Sequence, residues 1–196
     1  VNFAASWSAR KGEAMDRFWA GPALPLAVAL GAAALILLEP DFGTAVVLVA
    51  VCITVLFAAG MSVWQLAALA VLAVPAAGAL IWSEPYRMAR LLAFVDPWAD
   101  PSGRGWSVIQ SLLAIGSGGL FGLGLGQSRQ KFLYLPEHHT DFIFAILAEE
   151  LGLVGTWVVL ALFGVLAWRG FRVALALEDR YEQLLACGLV VLLVGQ

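Results

Sequence analysis

Lys131-Phe-Leu-Tyr-Leu-Pro-Glu-His-His-Thr-Asp-Phe-Ile-Phe-Ala-Ile-Leu-Ala-Glu-Glu-Leu-Gly-Leu-Val-Gly155 runs a polar, ionisable segment straight into an apolar helix pattern. In hydrocarbon an ionisable side chain costs about 2.5–3.5 kcal/mol on insertion scales, so Asp141, Glu149 and Glu150 need a partner, a cap or a watery site. Asp141 follows Thr140 at the start of the helix pattern, where either side chain accepts from orphan N–H groups, so capping is one reading and chemistry the other. Glu149 and Glu150 lie eight and nine positions further on. That is roughly 12–14 Å along a helix, and at 100° per residue Glu149 is nearer the Asp141 face. An internal ion pair, a cap on another span, or a role in a cavity all remain open for them.

Outward from this stretch the chain is 62% hydrophobic and 13% charged, with a mean hydropathy of +0.90. Soluble domains run at about 45–50% apolar and 25% charged, so the fold class expected is an all-α polytopic membrane protein. Apolar segments near 22–38, 44–61, 64–82, 142–168 and 183–196 approach the length needed to span the bilayer. That length is roughly 20 residues for about 30 Å of hydrocarbon. Val1 is not followed by the charged, apolar and small-residue succession of a secretory leader, and the fifth segment stops at Gln196 in mid-span. The chain reads as an internal fragment of a longer protein.

Cys52 and Cys187 both lie in apolar segments and have neither metal-ligand nor redox spacing, so they read as packing residues. The net charge of -3 matters less than its distribution. Arg10, Lys11 and Arg17 precede the first apolar segment, and Arg169, Arg172 and Arg180 separate the fourth from the fifth. Those groups share one side if each segment crosses once, and the positive-inside rule makes that side cytoplasmic. Arg87, Arg90, Arg104, Arg129 and Lys131 then face outward, which suggests an anionic ligand or head group.

Residues 83–141 form the one long hydrophilic stretch, expected to be an extracellular loop containing short helices. Arg87, Arg90, Leu91 and Phe94 recur at helical spacing, as on an amphipathic interface helix. Asp96 to Gly105 is turn-rich, with X-Pro steps that exclude helix. Trp106 to Ile115 is apolar again, suited to a re-entrant or interface-lying helix buried in protein or lining a cavity. The glycines of Gly116 to Gly126 match neither the dinucleotide fingerprint nor the P-loop, so they read as a structural turn rather than a phosphate cradle, and no nucleic-acid or nucleotide partner is expected. His138 and His139 are adjacent and point apart, which does not suit joint chelation of a metal. Asp41, in Glu39-Pro-Asp-Phe-Gly-Thr44, is placed to cap the second apolar helix.

Glu39-Pro-Asp-Phe-Gly-Thr44, Arg90 with Phe94-Val-Asp-Pro97, Ile109-Gln-Ser-Leu-Leu-Ala-Ile-Gly-Ser-Gly-Gly119 and Leu135-Pro-Glu-His-His-Thr-Asp-Phe-Ile-Phe-Ala-Ile-Leu-Ala-Glu-Glu-Leu-Gly152 together resemble the SEDS family, named for shape, elongation, division and sporulation. Gly124 to Leu135 is closer to its cell-division branch, FtsW, than to its elongation branch. Ser107 departs from the family, which often carries Gln there. The resemblance implies a ten-span helical bundle with spans before residue 1 and after Gln196.

It also implies a peptidoglycan glycosyltransferase that polymerises lipid II at the outer face of the bacterial plasma membrane, at the division septum. By that resemblance Asp141 takes the position of the family's essential loop aspartate and is expected to be the general base for the acceptor hydroxyl. Arg90 and Lys131 are the first candidates to hold the pyrophosphate. Gln110, Ser111, Glu137, His139, Thr140 and Glu150 are the further substrate-contacting candidates. No cofactor is certain, and a divalent cation, magnesium or manganese, is a candidate for neutralising the leaving group. The implied partners are the growing lipid-linked glycan, a class B penicillin-binding protein that crosslinks it, and other divisome proteins. A lipid II flippase and a non-enzymatic division scaffold are the alternatives.

Overall fold

A computed structural model of the chain describes residues 1–39, 41–128 and 143–195. Regular structure among the described residues is helical throughout. In chain order the α-helices are α1 (Asn2–Lys11), α2 (Ala23–Leu38), α3 (Phe42–Ala58), α4 (Val63–Trp82), α5 (Pro85–Val95), α6 (Trp106–Gly118), α7 (Ile143–Ala176) and α8 (Arg180–Gly195), with 3-10 turns at Gly12–Asp16 and Pro97–Ala99. The chain divides into two compact units, Val1–Val74 with Phe163–Gln196, and Pro75–Leu162.

In the first unit α2 and α3 form an antiparallel hairpin, and α8 packs on α1 and α3. Asp41 caps α3 by accepting from the Thr44 N–H at 3.0 Å. The Thr44 hydroxyl and N–H hold the Asp41 carboxyl below its ordinary value. Leu26, Ala29, Cys52, Val55, Leu56 and Leu184 are buried together with Ala4, Ala5 and Met15 of the N-terminal segment. Ala4, Ala5, Ala29 and Cys52 are the small members of this seam, of the kind that let helices approach closely where apolar lipid gives no hydrophobic drive. Gly188 shows the closeness, since a Cβ there would meet Val55 Cγ2 at 2.7 Å.

Helix ends in this unit are tied by side chains. Arg180 donates to the Ala58 carbonyl at the end of α3 (2.9 Å), and Gln65 of α4 donates to the Asp16 carbonyl (2.7 Å). Trp7 Nε1 donates to the Gly21 carbonyl at 2.9 Å, and the Tyr181 hydroxyl bonds Asn2 Oδ1 at 3.0 Å. These bonds draw Arg180, the α3–α4 turn and the chain before α2, which carries Arg17, to one end of the unit.

In the second unit Glu84 is extended (φ -118°, ψ 111°) and Pro85 opens α5, as the residue before proline and a first-turn proline should. Asp100 shapes the turn that follows, its carboxylate accepting from the N–H groups of Gly103 and Arg104, both at 3.1 Å. Gly105 meets the Pro97 carbonyl so closely that no Cβ fits, and α6 starts at once beyond it. The 3-10 turn at Pro97–Ala99 packs on both α5 and α6.

Candidate functional site

The ionisable end of α7 is built around a break in that helix. Gly152 has φ 69° and ψ -171°, so α7 is a short helix, residues 143–151, followed by a longer one from Leu153. The interruption frees the carbonyls of Glu149 and Glu150 and the N–H groups of Leu153 and Val154, which a continuous helix would pair with one another. The glycine-rich segment after α6 takes all four. Leu123 N–H donates to Glu149 O and Gly124 N–H to Glu150 O, each at 3.0 Å. In return Leu153 N–H donates to Gly119 O (2.9 Å) and Val154 N–H to Leu120 O (3.1 Å). Irregular backbone beside apolar helices is tolerable only when its polar groups are satisfied in this way.

The glycines explain why the two chains can cross. A Cβ on Gly118 would run into the Ala148 carbonyl oxygen, one on Gly122 into the Glu150 carbonyl oxygen, and one on Gly152 into the Gly122 nitrogen. The turn expected at Gly116 to Gly126 is therefore a docking surface for backbone.

Two carboxylates sit at the C-terminal end of the short helix, where the helix dipole disfavours negative charge. Glu149 is 1% exposed. Ser128 Oγ donates to its Oε2 at 2.5 Å. Ser117 Oγ stands 3.5 Å from Oε1 but is closer to the Ala114 carbonyl, at 2.9 Å, and has a single proton to give. Ser128 is therefore the stronger of the two hydroxyl contacts. Glu150 is half-buried, and its Oε1 is buried without a hydrogen bond.

The candidates on α5 and α6 divide by what their side chains already do. Arg87 donates to the Leu80 carbonyl at 3.0 Å, near the end of α4. Arg90 is exposed and lies over the Tyr86 ring at 5.3 Å, a cation–π contact that leaves its N–H fork open. Gln110 is buried in α6, and the Ser111 hydroxyl donates back to the Ser107 carbonyl at 2.7 Å. A cavity of about 300 Å³ lies between α5 and the turn that follows, lined by Ala89, Leu92, Ala93, Asp96, Asp100 and Arg104 among others. Neither Arg90 nor Gln110 lines it. Asp141, Lys131, Glu137, His139 and Thr140 lie outside the described residues, as do Arg129 and His138.

The cell cycle protein family FtsW/RodA/SpoVE matches the chain over residues 1–196. The chain belongs to this family. Among its relatives, stage V sporulation protein E of Bacillus subtilis is 43% identical over 196 residues, covering 100% of this chain and 54% of that protein. A protein of Thioalkalivibrio sulfidiphilus named "Probable peptidoglycan glycosyltransferase FtsW" is 51% identical over 177 residues, 90% of this chain and 44% of the relative. One of the same name from Alkalilimnicola ehrlichii is 57% identical over 154 residues, 79% of this chain and 38% of the relative. The chain thus spans about half the length of the curated relatives it matches.

In keeping with this family of polytopic helical membrane proteins, α4 is long and apolar enough to cross a membrane. Among the described residues no three His, Cys, Asp or Glu side chains come together as a metal site. Of the acidic residues described, Asp100 is engaged by two N–H groups and Glu149 by Ser128. Sequence reasoning missed Ser128 and the break at Gly152. An isolated glycine inside a helical pattern was the available signal for the break.

Proposed function

We propose that the whole protein is a peptidoglycan glycosyltransferase that polymerises lipid II, and that this chain carries its general base. The observation that carries the reading is the 57% identity over 154 residues to a relative of that name. The reaction joins the 4-hydroxyl of an acceptor sugar to the anomeric carbon of a donor whose polyprenyl pyrophosphate departs. Asp141 takes the hydroxyl proton as the new bond forms, and the negative charge developing on the pyrophosphate is met by fixed cations. Arg90 suits that task, because its guanidinium is exposed and can present a planar fork to phosphate oxygens. Arg87 is occupied by a helix end and serves the fold. Lys131 is the second cation, with Gln110, Ser111, Glu137, His139, Thr140 and Glu150 as contacts to the remainder of the substrate.

The positive-inside rule favours a cytoplasmic side for the cations before α2 and between the fourth and fifth apolar segments, and this supports a reaction at the outer face. The growing glycan would pass to a class B penicillin-binding protein at the septum, among other divisome proteins. The broken α7 favours a second reading, since discontinuous helices are also used by transporters that rock around a central site; that reading is a lipid II flippase.

The test is polymer formation from purified lipid II by the full-length protein with its class B partner. Asp141→Asn should lower turnover by about 10²–10⁴-fold, the usual worth of a general base, with lipid II binding retained. Full polymerisation by that variant would sink the assignment. Lipid II translocation without polymer by the unaltered protein would establish the flippase instead.

A further inference from the structure

The later part of α7 carries two arginines whose charge the fold does not use. Arg169 and Arg172 both lie over the Trp168 ring, at 5.6 and 5.0 Å from its centroid, so two like charges share one indole. Among the described residues no carboxylate pairs with either of them. Of the two acids in the turn beyond α7, Asp179 accepts from the Tyr181 N–H at 2.7 Å and so caps α8. Arg180 is engaged by the Ala58 carbonyl and by Gln183. A ring face attracts each guanidinium without neutralising it, and an anion held between the two relieves their mutual repulsion.

The same face suits an amphiphile. Gly170 approaches α8 so closely that a Cβ would meet Val190 Cγ2 at 2.5 Å, and Ala174, one turn on, is fully buried. Trp168 and Arg172 are each two positions from Gly170, about 160° round the helix at 100° per residue, so they look away from α8. Trp168 is 56% exposed, and Val165, one turn before it, is 52% exposed. The helix is long and apolar enough to cross a membrane, and a tryptophan beside arginines after an apolar turn is the pattern of a bilayer interface.

We infer that Trp168, Arg169 and Arg172 form a binding site for an anionic glycerophospholipid of the surrounding bilayer. The two guanidinium forks take the phosphate oxygens, the indole lies beside the glycerol, and an acyl chain runs along Val165. A zwitterionic lipid fits less well, because its own cation already accompanies the phosphate. Another helix fits less well too, since it would have to bring a carboxylate to the arginines or bury their charge unpaired. The site is separate from the lipid II chemistry and does not rest on the reading of Asp141.

The experiment places the full-length protein in phosphatidylcholine nanodiscs and titrates in phosphatidylglycerol with brominated acyl chains, which quench only the tryptophans they touch. The signal of Trp168 is the difference between the protein and its Trp168→Phe variant, and brominated phosphatidylcholine measures contact without charge. The expected result is half-quenching at a lower mole fraction of the anionic lipid, with that preference weakened about fivefold in Arg169→Gln and again in Arg172→Gln, the usual worth of one cation near anionic lipid. Both arginines are exposed, so neither change disturbs packing. Equal quenching by the two lipids overturns the site, and so does quenching by neither, which would mean that another part of the protein covers this face. A loss as large in Arg10→Gln, an exposed cation on α1, would make the attraction diffuse surface charge and overturn it as well. Displacement by low-millimolar inorganic phosphate would make the ligand a free anion and overturn the lipid assignment. None of these readouts involves polymerisation, so the result for Asp141→Asn leaves them unchanged.

Discussion

Gly152→Ala tests the crossing most directly. The backbone at Gly152, φ 69° and ψ -171°, lies in a region open essentially to glycine alone, and holding another residue there costs on the order of 1–3 kcal/mol. The new Cβ would also press on backbone, reaching the Leu120 carbonyl at 2.7 Å as well as the Gly122 nitrogen. Backbone on both sides leaves no flexible side chain to swing away.

The escape route is for position 152 to become helical, and its cost can be counted. That change restores two bonds, Leu153 N–H to Glu149 O and Val154 N–H to Glu150 O, and sacrifices the four cross-bonds. Two N–H groups, on Leu123 and Gly124, and two carbonyls, on Gly119 and Leu120, are left over. A net bond is worth about 0.5–1.5 kcal/mol and a buried orphan costs about 1–3 kcal/mol. Because Leu120, Leu123 and Gly124 are exposed and can find other partners, the low end applies. Either route leads to a destabilisation of about 2–4 kcal/mol. Gly164→Ala is the control, since a Cβ there meets nothing within 4 Å, and in a regular helix it should gain up to about 1 kcal/mol. Denaturant midpoints of the full-length protein in mild detergent, compared at equal slope, measure both. A Gly152→Ala protein within about 0.5 kcal/mol of wild type would show that the crossing does not hold the break, and the account of the glycines would fail with it.

Four further outcomes are expected. Asp41 has a depressed folded pKa, so its advantage over Asp41→Asn should be full above the ordinary value of 3.8 and fade as pH falls through the lowered folded value; a stability difference that persists unchanged at lower pH would contradict this. Arg90→Lys should impair lipid II turnover despite retained charge, whereas Arg87→Lys should be tolerated in turnover; equal, wild-type-like rates at matched expression would remove Arg90 from the site. Ser102→Cys should react with an impermeant thiol reagent in cells lacking an outer-membrane barrier, and silence there with labelling at Ala9→Cys would invert the topology. Glu150→Gln should raise stability by about 0.3–1 kcal/mol by removing a charge from a helix C-terminus, yet lower turnover if Glu150 meets substrate; a loss of stability would mean the charge is compensated.

The helical, membrane-embedded class was legible because composition and apolar length report it without any tertiary information. The cap at Asp41 was legible too, since its donor, Thr44, lies three residues away in the same turn. The break in α7 was not. Apart from Glu149 and Glu150 its apolar pattern continues on both sides of Gly152, and hydropathy is blind to backbone angles. A positive φ at an isolated glycine becomes stable only when something receives the freed carbonyls and N–H groups, and here the receiver is the 119–124 segment, about thirty positions earlier. The glycine run advertised a turn, while its partner was invisible to local reading. Ser128 was missed for the same reason: its role is defined by a contact 21 residues away.

Glu149 and Glu150 show how far a motif can be resolved by physics once that crossing is known. Adjacent in sequence, they share the same unfavourable position at the end of a short helix, so pattern alone gives no ground for telling them apart beyond a face preference. The crossing separates them. Glu149 turns inward, and its charge is met by a buried hydroxyl. Glu150 stays half-buried, with one carboxylate oxygen sheltered and lacking a hydrogen bond. A satisfied, fully buried carboxylate is suited to holding structure, and an under-satisfied, half-buried one to meeting something that arrives. Under the proposed function Glu150 is therefore the better of the two to contact substrate, and Glu149 is a poor rival to Asp141 as base, because a carboxylate already accepting from a buried serine is a poor choice to take a proton from a sugar.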